Sequence, residues 1–561
     1  MKVVIIGGVA GGATAAARIR RLDERAEIIM LERTGYVSYA NCGLPYYVGG
    51  EIEDEEELTL QTPASFFARY RVDVRVLSEA LAIDRKNKTV TVKNLKTGET
   101  YEETYDKLLL SPGARAVIPP AARVKDPRVF TLRTVEDTLA IHACVEKTAP
   151  REAVVVGGGF IGLETAENLM RKGVRVTLIQ LDSQVMPPFD PDMAALLHNE
   201  MRARGVQLRL SESCTAIESG ERLTVRTDKG AYAADLAVIA VGVAPDTQLV
   251  KDAGLALGVK GSIAVDEHMR TSDEDIYAVG DAVEVHQFVT GEKTLIALAG
   301  PANKQGRIAA DNICGGNSTY KGSQGSSVVR VFSLTAASTG INEKTARASG
   351  LDYDKVVLSP NSHASYYPGA QVMTMKVLFE RGSGKLLGAQ IVGGEGVDKR
   401  IDVLATAIRA GVPAADLKDL DLAYAPPYSS AKDPVNMAGY MIENLVTGKV
   451  KQFHFEDMET LPRDGSVTLV DARTSREYAR GHADGFINLP VDELRERLGE
   501  LERGKPVYVM CQSGLRSYLA CRILAQNGFE CCNFSGGYRF YDAVKRGSVQ
   551  SSSAYPCGME K

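Results

Sequence analysis

Two glycine-rich turns, each lying between a short apolar strand and a helix, constrain the fold of this chain more than any other feature. The first turn follows the segment KVVIIG, and the next strand ends at Glu32. Glycine lets a backbone approach a pyrophosphate, a helix N-terminus offers unpaired N–H groups, and an acid at the strand end can bind a ribose. The segment therefore predicts a dinucleotide-binding unit, although Val9 replaces the usual middle glycine. Its turn comprises Gly7, Gly8, Val9, Ala10, Gly11 and Gly12.

The same pattern recurs in AVVVGGGFIGLETAENLM, where the glycine spacing is complete. The strand that follows ends at Gln180, where an acid would be expected. An amide can bind a ribose hydroxyl but does not repel a 2′-phosphate, so the choice between NADH and NADPH stays open. Two such units predict two bound dinucleotides. The expected contacts of the second unit are Gly157, Gly159, Phe160, Ile161, Gly162 and Gln180.

Three further strand ends fit a chain that carries two nested units. LLLSPGA and AVIAVGVAPD are apolar strands that break at glycine, which suits crossings between nested domains. In TSDEDIYAVGDAV the strand ends at Gly280, and Asp281 is placed to bind the ribityl chain of a flavin. An ordinary strand-end turn would look similar. The expected contacts in these segments are Ser111, Pro112, Gly113, Gly242, Gly280 and Asp281.

The length, charge and cysteines of the chain exclude several other classes of protein. Its 561 residues exceed what one hydrophobic core holds, so several domains are expected. The net charge of -5, with both signs interspersed, argues against nucleic acid or an anionic membrane as a partner. The nine cysteines show no spacing typical of a disulfide framework or a metal site. No apolar run is long enough to span a bilayer, and we expect a cytoplasmic protein without a metal site.

The order of these motifs resembles the pyridine nucleotide-disulfide oxidoreductase superfamily over essentially all of residues 1–445. The resemblance implies an α/β fold of two nested Rossmann-like domains, with FAD bound by the first and NAD(P)H by the second, followed by an α+β dimerisation domain. The implied boundaries are 1–115 and 248–320 for the FAD domain, 116–247 for the NAD(P)H domain and 321–446 for the dimerisation domain. The resemblance also adds Arg33, Pro301 and Ala302 to the cofactor contacts.

A single cysteine distinguishes this chain from the disulfide reductases that carry a C-x-x-x-x-C pair. The corresponding stretch, SYANCGLPYYVGG, holds Cys42 alone, with Tyr47 where the second cysteine would fall. A lone thiol cannot store two electrons as an internal disulfide, so it must form a mixed disulfide, a persulfide or a sulfenic acid. The flanking Asn41, Gly43 and Pro45 fit a packing role poorly. We therefore predict that Cys42 is redox-active.

The stretch NCGLPY is similar to that of coenzyme A-disulfide reductases, which also have one active cysteine. The resemblance implies that arginines on the first helix face the phosphates of coenzyme A, although ARIRRLDER could equally be the solvated face of that helix. A lysine common in the family is Tyr70 here, followed at once by Arg71. The implied coenzyme A contacts are Thr14, Arg18, Arg21, Ser38, Asn41, Arg71, Asn303 and Lys432.

Tyrosines of the third domain complete this site by resemblance. In the family they reach the active site of the other subunit, so a homodimer with active sites shared across the interface is implied. Tyr366 and Tyr424 would then protonate a departing thiolate. From the residues alone, SHASYYPGA and LAYAPPYSS are more typical of rigid loops at an interface.

The last part of the chain, 455–547, is predicted to form a separate compact α/β unit. The strand VYVM leads into CQSGLRS, where backbone N–H groups and Arg516 can form an anion nest that stabilises a persulfide on Cys511. Tyrosine phosphatases need a longer loop, of the form C-x5-R, than the C-x4-R found here. The unit resembles a rhodanese domain with an active cysteine. Cys521 is expected in its core, Asp471, Arg473 and His482 are expected to stabilise the fold, and Cys557 in the polar tail has no assigned role.

Together the two halves resemble fusions of a coenzyme A-disulfide reductase with a rhodanese, also described as NADH-dependent persulfide reductases. The resemblance implies NAD(P)H-driven, FAD-dependent reduction of coenzyme A disulfide, coenzyme A persulfide or polysulfide through Cys42, coupled to sulfur transfer by Cys511. Two alternatives remain, an NADH oxidase or peroxidase with Cys42 as a sulfenic acid, and a sulfur-relay or redox-sensing binding protein. The rhodanese unit and the arginines of the first helix disfavour the oxidase, because neither helps to reduce oxygen or peroxide.

Overall fold

The computed structural model describes residues 1–548, so Cys557 lies outside the described residues. The chain forms two compact units. Unit 1 comprises Met1–Asp182 and Val206–Gly325, and unit 2 comprises Ser183–Gly205 and the residues from Ser326 onward. Both units combine helices with sheets, in agreement with the predicted α/β class. Within residues 1–548, no helix is both long and apolar enough to span a membrane.

The first glycine turn of unit 1 follows the central strand of a five-stranded parallel sheet. This strand is buried along almost its whole length, as expected where a parallel sheet is covered on both faces. One edge strand comes from much later in the chain. The chain between the strands of this sheet therefore holds a second dinucleotide-binding segment, which also belongs to unit 1. From edge to edge the strands are Ile276–Ala278, Lys107–Leu110, Lys2–Ile6, Glu27–Leu31 and Val72–Arg75.

The inserted unit repeats this arrangement around the second glycine turn. Its central strand, Glu152–Val156, is flanked by parallel strands in another five-stranded sheet. Ala114–Ala116 pairs with Val243–Pro245 in a short antiparallel ladder, at the two segments expected to cross between nested domains. From edge to edge the strands are Gln207–Arg209, Arg175–Ile179, Glu152–Val156, Leu236–Ile239 and Val129–Phe130.

Two helices of unit 1 pack closely because glycines face each other at their crossing. A Cβ at Gly306, in the helix Ala299–Ile313, would lie 2.4 Å from the carbonyl oxygen of Gly11, in the helix Ala10–Leu22. The other helices are Leu44–Val48, Pro63–Tyr70, Val135–Thr148, Phe160–Arg171 and Gln248–Asp252. Smaller antiparallel sheets comprise Ser78–Asp84, Thr89–Asn94 and Thr100–Thr104; Cys214–Glu218, Leu223–Thr227 and Ala231–Ala234; and Val285–His286 with Lys293–Thr294. Short 3₁₀ turns lie at Asn41–Gly43, Glu55–Leu58, Pro120–Ala122 and Val259–Gly261.

Unit 2 contains an antiparallel five-stranded sheet with helices packed against it. The helix Val397–Ala410 buries Ile401, Leu404 and Ile408, whose spacing places them on one apolar stripe. From edge to edge the strands are Ser327–Val331, Leu334–Gly340, Leu386–Gly393, Met373–Glu380 and Tyr353–Leu358. The helices are Pro191–Ala203, Glu343–Ala348, Val397–Ala410 and Pro434–Val446, with a 3₁₀ turn at Ala414–Asp419.

The C-terminal part of unit 2 is built on a parallel five-stranded sheet whose central strand ends directly before Cys511. The final helix packs against Pro191–Ala203, where Asn199 Nδ2 donates to the carbonyl oxygen of Ala543 at 2.8 Å. From edge to edge the strands are Lys451–Phe453, Cys531–Phe534, Val507–Met510, Thr468–Asp471 and Ile487–Asn488. The helices are Ser475–Ala479, Leu515–Gln526 and Gly537–Ser548, with 3₁₀ turns at Phe455–Glu459 and Leu498–Glu500.

Candidate active sites

The first glycine turn requires glycine for steric reasons. Gly7 has a φ of 96°, and a Cβ there would lie 2.0 Å from the carbonyl oxygen of Ser111. A Cβ at Gly12 would lie 1.9 Å from the carbonyl oxygen of Gly7. Glu32 is 6% exposed, and its Oε2 accepts a hydrogen bond of 3.0 Å from the backbone N–H of Gly8. Glu32, which the sequence predicts to bind a ribose, therefore also stabilises the glycine turn.

The second glycine turn has the same construction. Gly157 has a φ of 115°, and a Cβ there would lie 2.2 Å from the carbonyl oxygen of Ala240. The buried Gln180 accepts a hydrogen bond of 2.7 Å from the backbone N–H of Gly158. Gln180 Nε2 in turn donates to Asp182 Oδ2 at 3.3 Å, so an exposed carboxylate lies beside the amide. No pattern in the sequence singled out Asp182.

Both turns fit a pyrophosphate. Within residues 1–548, the helices Ala10–Leu22 and Phe160–Arg171 begin with neither a side-chain cap nor an acid in the first turn. Their first N–H groups and the positive ends of their dipoles are therefore available to an anion. A Cβ at Gly159 would have no described atom within 4 Å, so the second turn is open where a phosphate would approach. Val9 is the N-cap of the first helix and Ala10 its first residue, and Phe160 and Ile161 begin the second helix.

The strand ends expected near the flavin carry partners that the sequence did not indicate. Asp281 accepts an ion-pair hydrogen bond of 2.7 Å from Arg133, and the backbone N–H of Gly280 donates to Gln305 at 2.8 Å. Arg33 is paired with Asp246 at 2.8 Å. The remaining residues lie in loops or at a helix start: Ser111, Pro112 and Gly113 after one strand, Gly242 after another, and Pro301 and Ala302 in the first turn of Ala299–Ile313.

Cys42 lies in the short turn Asn41–Gly43, and its side chain is exposed at the surface of unit 1. Each of the eight cysteines within residues 1–548 is free, so Cys42 is not joined to another of them. Tyr47, at the position of the second cysteine in paired reductases, is 7% exposed, and its ring lies 4.7 Å from that of His142 at an interplanar angle of 41°. The neighbouring Tyr46 hydroxyl donates to Glu164 at 3.0 Å.

The surroundings of Cys42 disfavour its thiolate. Although the residue is exposed, desolvation by the surrounding protein raises the pKa of its thiol. The carboxylates of Glu164 and Asp281 raise that pKa further, and Arg133 opposes them. The described residues therefore position the sulfur without activating it.

Some of the residues of unit 1 that are expected to bind coenzyme A are hydrogen-bonded to other residues of that unit. Thr14 and Asn303 are joined by a hydrogen bond between Thr14 Oγ1 and Asn303 Oδ1, and Arg18 Nε donates to Asp311 at 2.7 Å. Arg21 is exposed. The remaining positions lie in loops, with Asn41 half-buried, Ser38 and Arg71 at φ values of 48° and 49°, and the Arg71 guanidinium 5.1 Å from the ring of Phe67.

Arg20, which the sequence did not distinguish from its neighbours, has a structural role. It is 7% exposed and donates to the carbonyl oxygens of Tyr70 at 2.8 Å and Arg71 at 3.0 Å, and to others nearby. The helix segment ARIRRLDER is thus not uniformly solvated. Arg20 fixes the end of the helix Pro63–Tyr70.

In unit 2, Tyr366 and Tyr424 form a pair. Their hydroxyl groups lie 2.7 Å apart, and the side chains are 74% and 46% exposed. The hydrogen bond with Tyr366 raises the pKa of Tyr424, so the hydroxyl of Tyr424 keeps its proton. Lys432 is exposed. The predicted tyrosines are therefore brought together and remain accessible.

The sulfur of Cys511 is buried, with 1% of the residue exposed, at the start of a loop that precedes the helix Leu515–Gln526. The backbone N–H of Gly514 and the hydroxyl of Ser517 each donate to this sulfur at 3.2 Å. Arg516 donates through both Nη atoms to the carboxylate of Glu477, at 2.7 Å each. Neutral donors, rather than the guanidinium, thus contact the sulfur directly.

Other residues singled out in this part of the chain stabilise it. Arg473 is 2% exposed, pairs with Asp471 at 2.7 Å and lies 3.9 Å from the ring centre of Tyr538. His482 stacks on Tyr478 at 3.8 Å. Cys521 is 1% exposed within the apolar core, as expected.

Comparison with known proteins identifies the family. The family model described as pyridine nucleotide-disulphide oxidoreductase matches residues 1–306. The chain belongs to this family. The dimerisation domain of these oxidoreductases matches residues 326–434, and a rhodanese-like domain matches 455–543.

Members of the family with known names or structures resemble this oxidoreductase over most of its length. A coenzyme A disulfide reductase of Staphylococcus epidermidis is 38% identical over 440 residues, which is 78% of this chain and 99% of the relative. The crystal structure of reduced CoADR-RHD from Bacillus anthracis has a TM-score of 0.94 and 48% identity, covering 97% of this chain and 98% of that one. A NAD-dependent persulfide reductase from A. fulgidus has a TM-score of 0.90 and 40% identity, covering 96% and 100%.

Proposed function

We propose that this oxidoreductase reduces coenzyme A disulfides and persulfides with electrons from NAD(P)H, through Cys42, and that its rhodanese domain transfers sulfane sulfur through Cys511. The observation that supports this proposal most strongly is the free, exposed thiol of Cys42, with the buried Tyr47 at the position of a second cysteine. The names of the relatives from S. epidermidis and A. fulgidus support both substrate classes. The rhodanese-like match supports a second sulfur site.

The two glycine turns would hold the cofactors, FAD at the first and NAD(P)H at the second. When bound, these groups supply the hydride and electron chemistry that returns Cys42 to a thiolate. The chain's own residues bind and orient them. The uncapped helix N-termini would face the pyrophosphates, and Glu32 and Gln180 would bind the riboses. Asp281, fixed by Arg133, would bind the ribityl chain.

Sulfur exchange at Cys42 is proposed because Cys42 forms no disulfide with another cysteine within residues 1–548. Its thiolate attacks one sulfur of coenzyme A disulfide, the S–S bond breaks, and a mixed disulfide forms as one coenzyme A leaves as a thiolate. The paired hydroxyls of Tyr366 and Tyr424 would give that thiolate a proton. Thr14, Asn303 and the arginines at positions 18, 21 and 71 would hold the phosphates.

The tyrosine pair requires a second subunit in this scheme. The dimerisation-domain match supports a homodimer, and we propose that each active site combines unit 1 of one protomer with Tyr366, Tyr424 and Lys432 of its partner. The boundaries 115, 247, 320 and 446 between the domains belong to the same proposal. A reducing, cytoplasmic location suits a chemistry that depends on free thiols.

Steady-state oxidation of NADH and NADPH tests this function. We expect kcat/KM with coenzyme A persulfide or disulfide to exceed that with hydrogen peroxide or oxygen by at least about a hundredfold, on the order of 3 kcal/mol of transition-state stabilisation. Turnover that is faster with peroxide would identify a peroxidase instead. Binding of persulfide without turnover would identify a sulfur-relay or sensing protein.

A further inference from the structure

We propose that Glu477 determines the sulfur donor used at Cys511, by excluding divalent anions such as thiosulfate and favouring thiol-bound persulfides. The inference rests on the proposed sulfur transfer by Cys511. It specifies the class of sulfur donor and names Glu477 as the residue that selects that class.

Glu477 neutralises the arginine of the loop. Both Nη atoms of Arg516 donate to its carboxylate at 2.7 Å, a bidentate geometry that fixes both side chains. The carboxylate is held independently, because Glu477 Oε2 also accepts hydrogen bonds from the backbone N–H of Thr474 at 3.0 Å and from its hydroxyl at 2.8 Å. The hydrogen bonds from Arg516 lower the pKa of Glu477 to about 2, so it is charged throughout the working range.

A second arginine at the loop is neutralised in the same way. Arg473 Nη1 contacts Gln512 of the loop at 3.3 Å, but its Nε and Nη2 atoms donate to the buried carboxylate of Asp471 at 3.0 and 2.7 Å. Two guanidinium groups at the loop are thus matched by two carboxylates. What contacts the Cys511 sulfur is the N–H of Gly514 and the hydroxyl of Ser517, both uncharged. The backbone N–H of Arg539 donates to the carbonyl oxygen of Gln512 in the loop at 3.2 Å, and the side chain of Arg539 is exposed to solvent.

The two donor classes place different charges at this loop. With thiosulfate, the Cys511 thiolate attacks the outer sulfur, the S–S bond breaks, and sulfite leaves with two negative charges while Cys511 becomes a persulfide anion. With an organic persulfide RSSH, the thiolate attacks the terminal sulfur, RS⁻ leaves with one charge, and Cys511 becomes a persulfide. Charged groups a few ångströms apart interact strongly where solvent is limited. A dianion at the loop would meet an arginine already paired with Glu477 and therefore binds poorly, whereas the N–H of Gly514 and the hydroxyl of Ser517 suffice for a persulfide.

Donor preference of the full-length protein tests the inference, with 2-hydroxyethyl persulfide or thiosulfate as donor, cyanide as acceptor and thiocyanate as the measured product. We expect the native protein to prefer the persulfide by about a hundredfold or more in kcat/KM. Glu477→Gln keeps an oxygen that can accept from Thr474 but removes the charge. It should raise kcat/KM for thiosulfate about tenfold, mainly through KM, and change that for the persulfide less than about twofold. Glu477→Asp, which keeps the charge, should retain the native preference.

Glu493→Gln is the matched control. Glu493 pairs with Arg497 at 2.7 Å in the same domain and is not part of the Cys511 loop. Its substitution should leave kcat/KM unchanged for both thiosulfate and the persulfide. NADH oxidation with coenzyme A disulfide, measured on each preparation, reports that the chain is folded. The inference would be overturned, with sulfur transfer still standing, if the native protein used both donors equally. It would also be overturned if Glu477→Gln left thiosulfate use unchanged or lost activity equally with both donors. Transfer from neither donor by the native protein would overturn the proposed activity of Cys511, and the inference with it.

Discussion

The backbone N–H of Gly158 donates a hydrogen bond of 2.7 Å to the side-chain oxygen of Gln180. In the first unit, Gly8 donates to Glu32 at 3.0 Å in the same way. In both dinucleotide-binding segments, the residue at the end of the strand after the glycine turn thus accepts a hydrogen bond from that turn. This residue is an acid, Glu32, in the first segment and an amide, Gln180, in the second. The exchange of acid for amide keeps the turn and changes the charge at the position where a ribose is expected.

Asp182 restores a negative charge near that position, because it lies 3.3 Å from Gln180 Nε2. We predict that Asp182→Asn raises kcat/KM for NADPH about fivefold to tenfold, since removing one like charge beside a 2′-phosphate is worth about 1 kcal/mol. The value for NADH should change less than about twofold, as measured by steady-state kinetics. Glu218→Gln, which removes an exposed partner of Arg226 in the same unit, should leave both unchanged. An unaltered ratio of NADPH to NADH use in Asp182→Asn would contradict the prediction.

Glu164 should control how readily Cys42 ionises. Its carboxylate raises the pKa of the Cys42 thiol, second to desolvation. Glu164→Gln should therefore lower that pKa, increase the thiolate fraction at pH 7 and speed alkylation by iodoacetamide about twofold to fivefold. For both proteins the rate should rise with pH, and the curve of the variant should lie at lower pH. Coincident curves would show that Glu164 does not act on the thiol.

Serine substitutions at the two proposed sulfur sites should separate the two activities. Cys42→Ser should reduce NAD(P)H-driven reduction of coenzyme A disulfide by at least about a thousandfold and leave thiocyanate formation intact, because the hydroxyl is a poor nucleophile at neutral pH. Cys511→Ser should have the opposite effect. Cys144→Ser, which alters a half-buried cysteine outside both sites, is the control for each assay. Loss of both activities in either variant would mean that one site depends on the other.

A buried ion cluster in unit 2 should dominate the stability of that unit. The Lys376 ammonium is 0% exposed and lies 3.1 Å from Asp190 and 2.9 Å from Asp192, with Glu343 also in contact. These three carboxylates have the spacing of a metal site, but the ammonium lies among them. Lys376→Met should lower the free energy of unfolding by about 3–5 kcal/mol, because buried carboxylates would lose their counter-charge. Lys451→Met, at an exposed pair with Glu530, should leave the midpoint of the same urea titration nearly unchanged, because solvent screens that pair.

The same cluster predicts a loss of stability in acid. Desolvation opposes ionisation of Glu343, but attraction to Lys376 and Lys355 prevails and holds its pKa well below the ordinary value of 4.5. Its contribution is therefore complete above about pH 4.5 and is lost as the pH falls towards the depressed pKa. Burial raises the pKa of Asp190 and reduces this effect. Urea midpoints measured between pH 6 and pH 3 should fall in the native protein and fall less in Lys376→Met.

The fold was predictable because its signals are local. Each glycine turn lies within one strand–turn–helix segment, and the requirement for glycine at Gly7 and Gly157 comes from backbone atoms that every such turn brings close. The family resemblance, with two apolar strands that break at glycine, implied the nested domains, and the strand orders agree with that fold. Cys42, Cys511 and the glycines could be proposed as site residues from the sequence, because residue type and spacing carry the chemistry expected of them.

The partners of these residues could not be predicted, because they come from distant parts of the chain. Arg133 and Asp281 are 148 positions apart, and Glu477 and Arg516 are 39 apart, with no pattern joining either pair. Buried Arg20 looks like its solvated neighbours in sequence, and only the surrounding carbonyl oxygens distinguish it. The roles assigned to the coenzyme A and cofactor contacts stay predictions.

The direct test of the central claim is to locate coenzyme A on the protein. The purified oxidoreductase is incubated anaerobically with coenzyme A disulfide, digested without reductant and mapped by mass spectrometry. We predict one coenzyme A per chain, joined to the peptide that contains Cys42 and released by NAD(P)H. Coenzyme A on a different cysteine, or Cys42 found in a disulfide with another cysteine of the chain, would contradict the account.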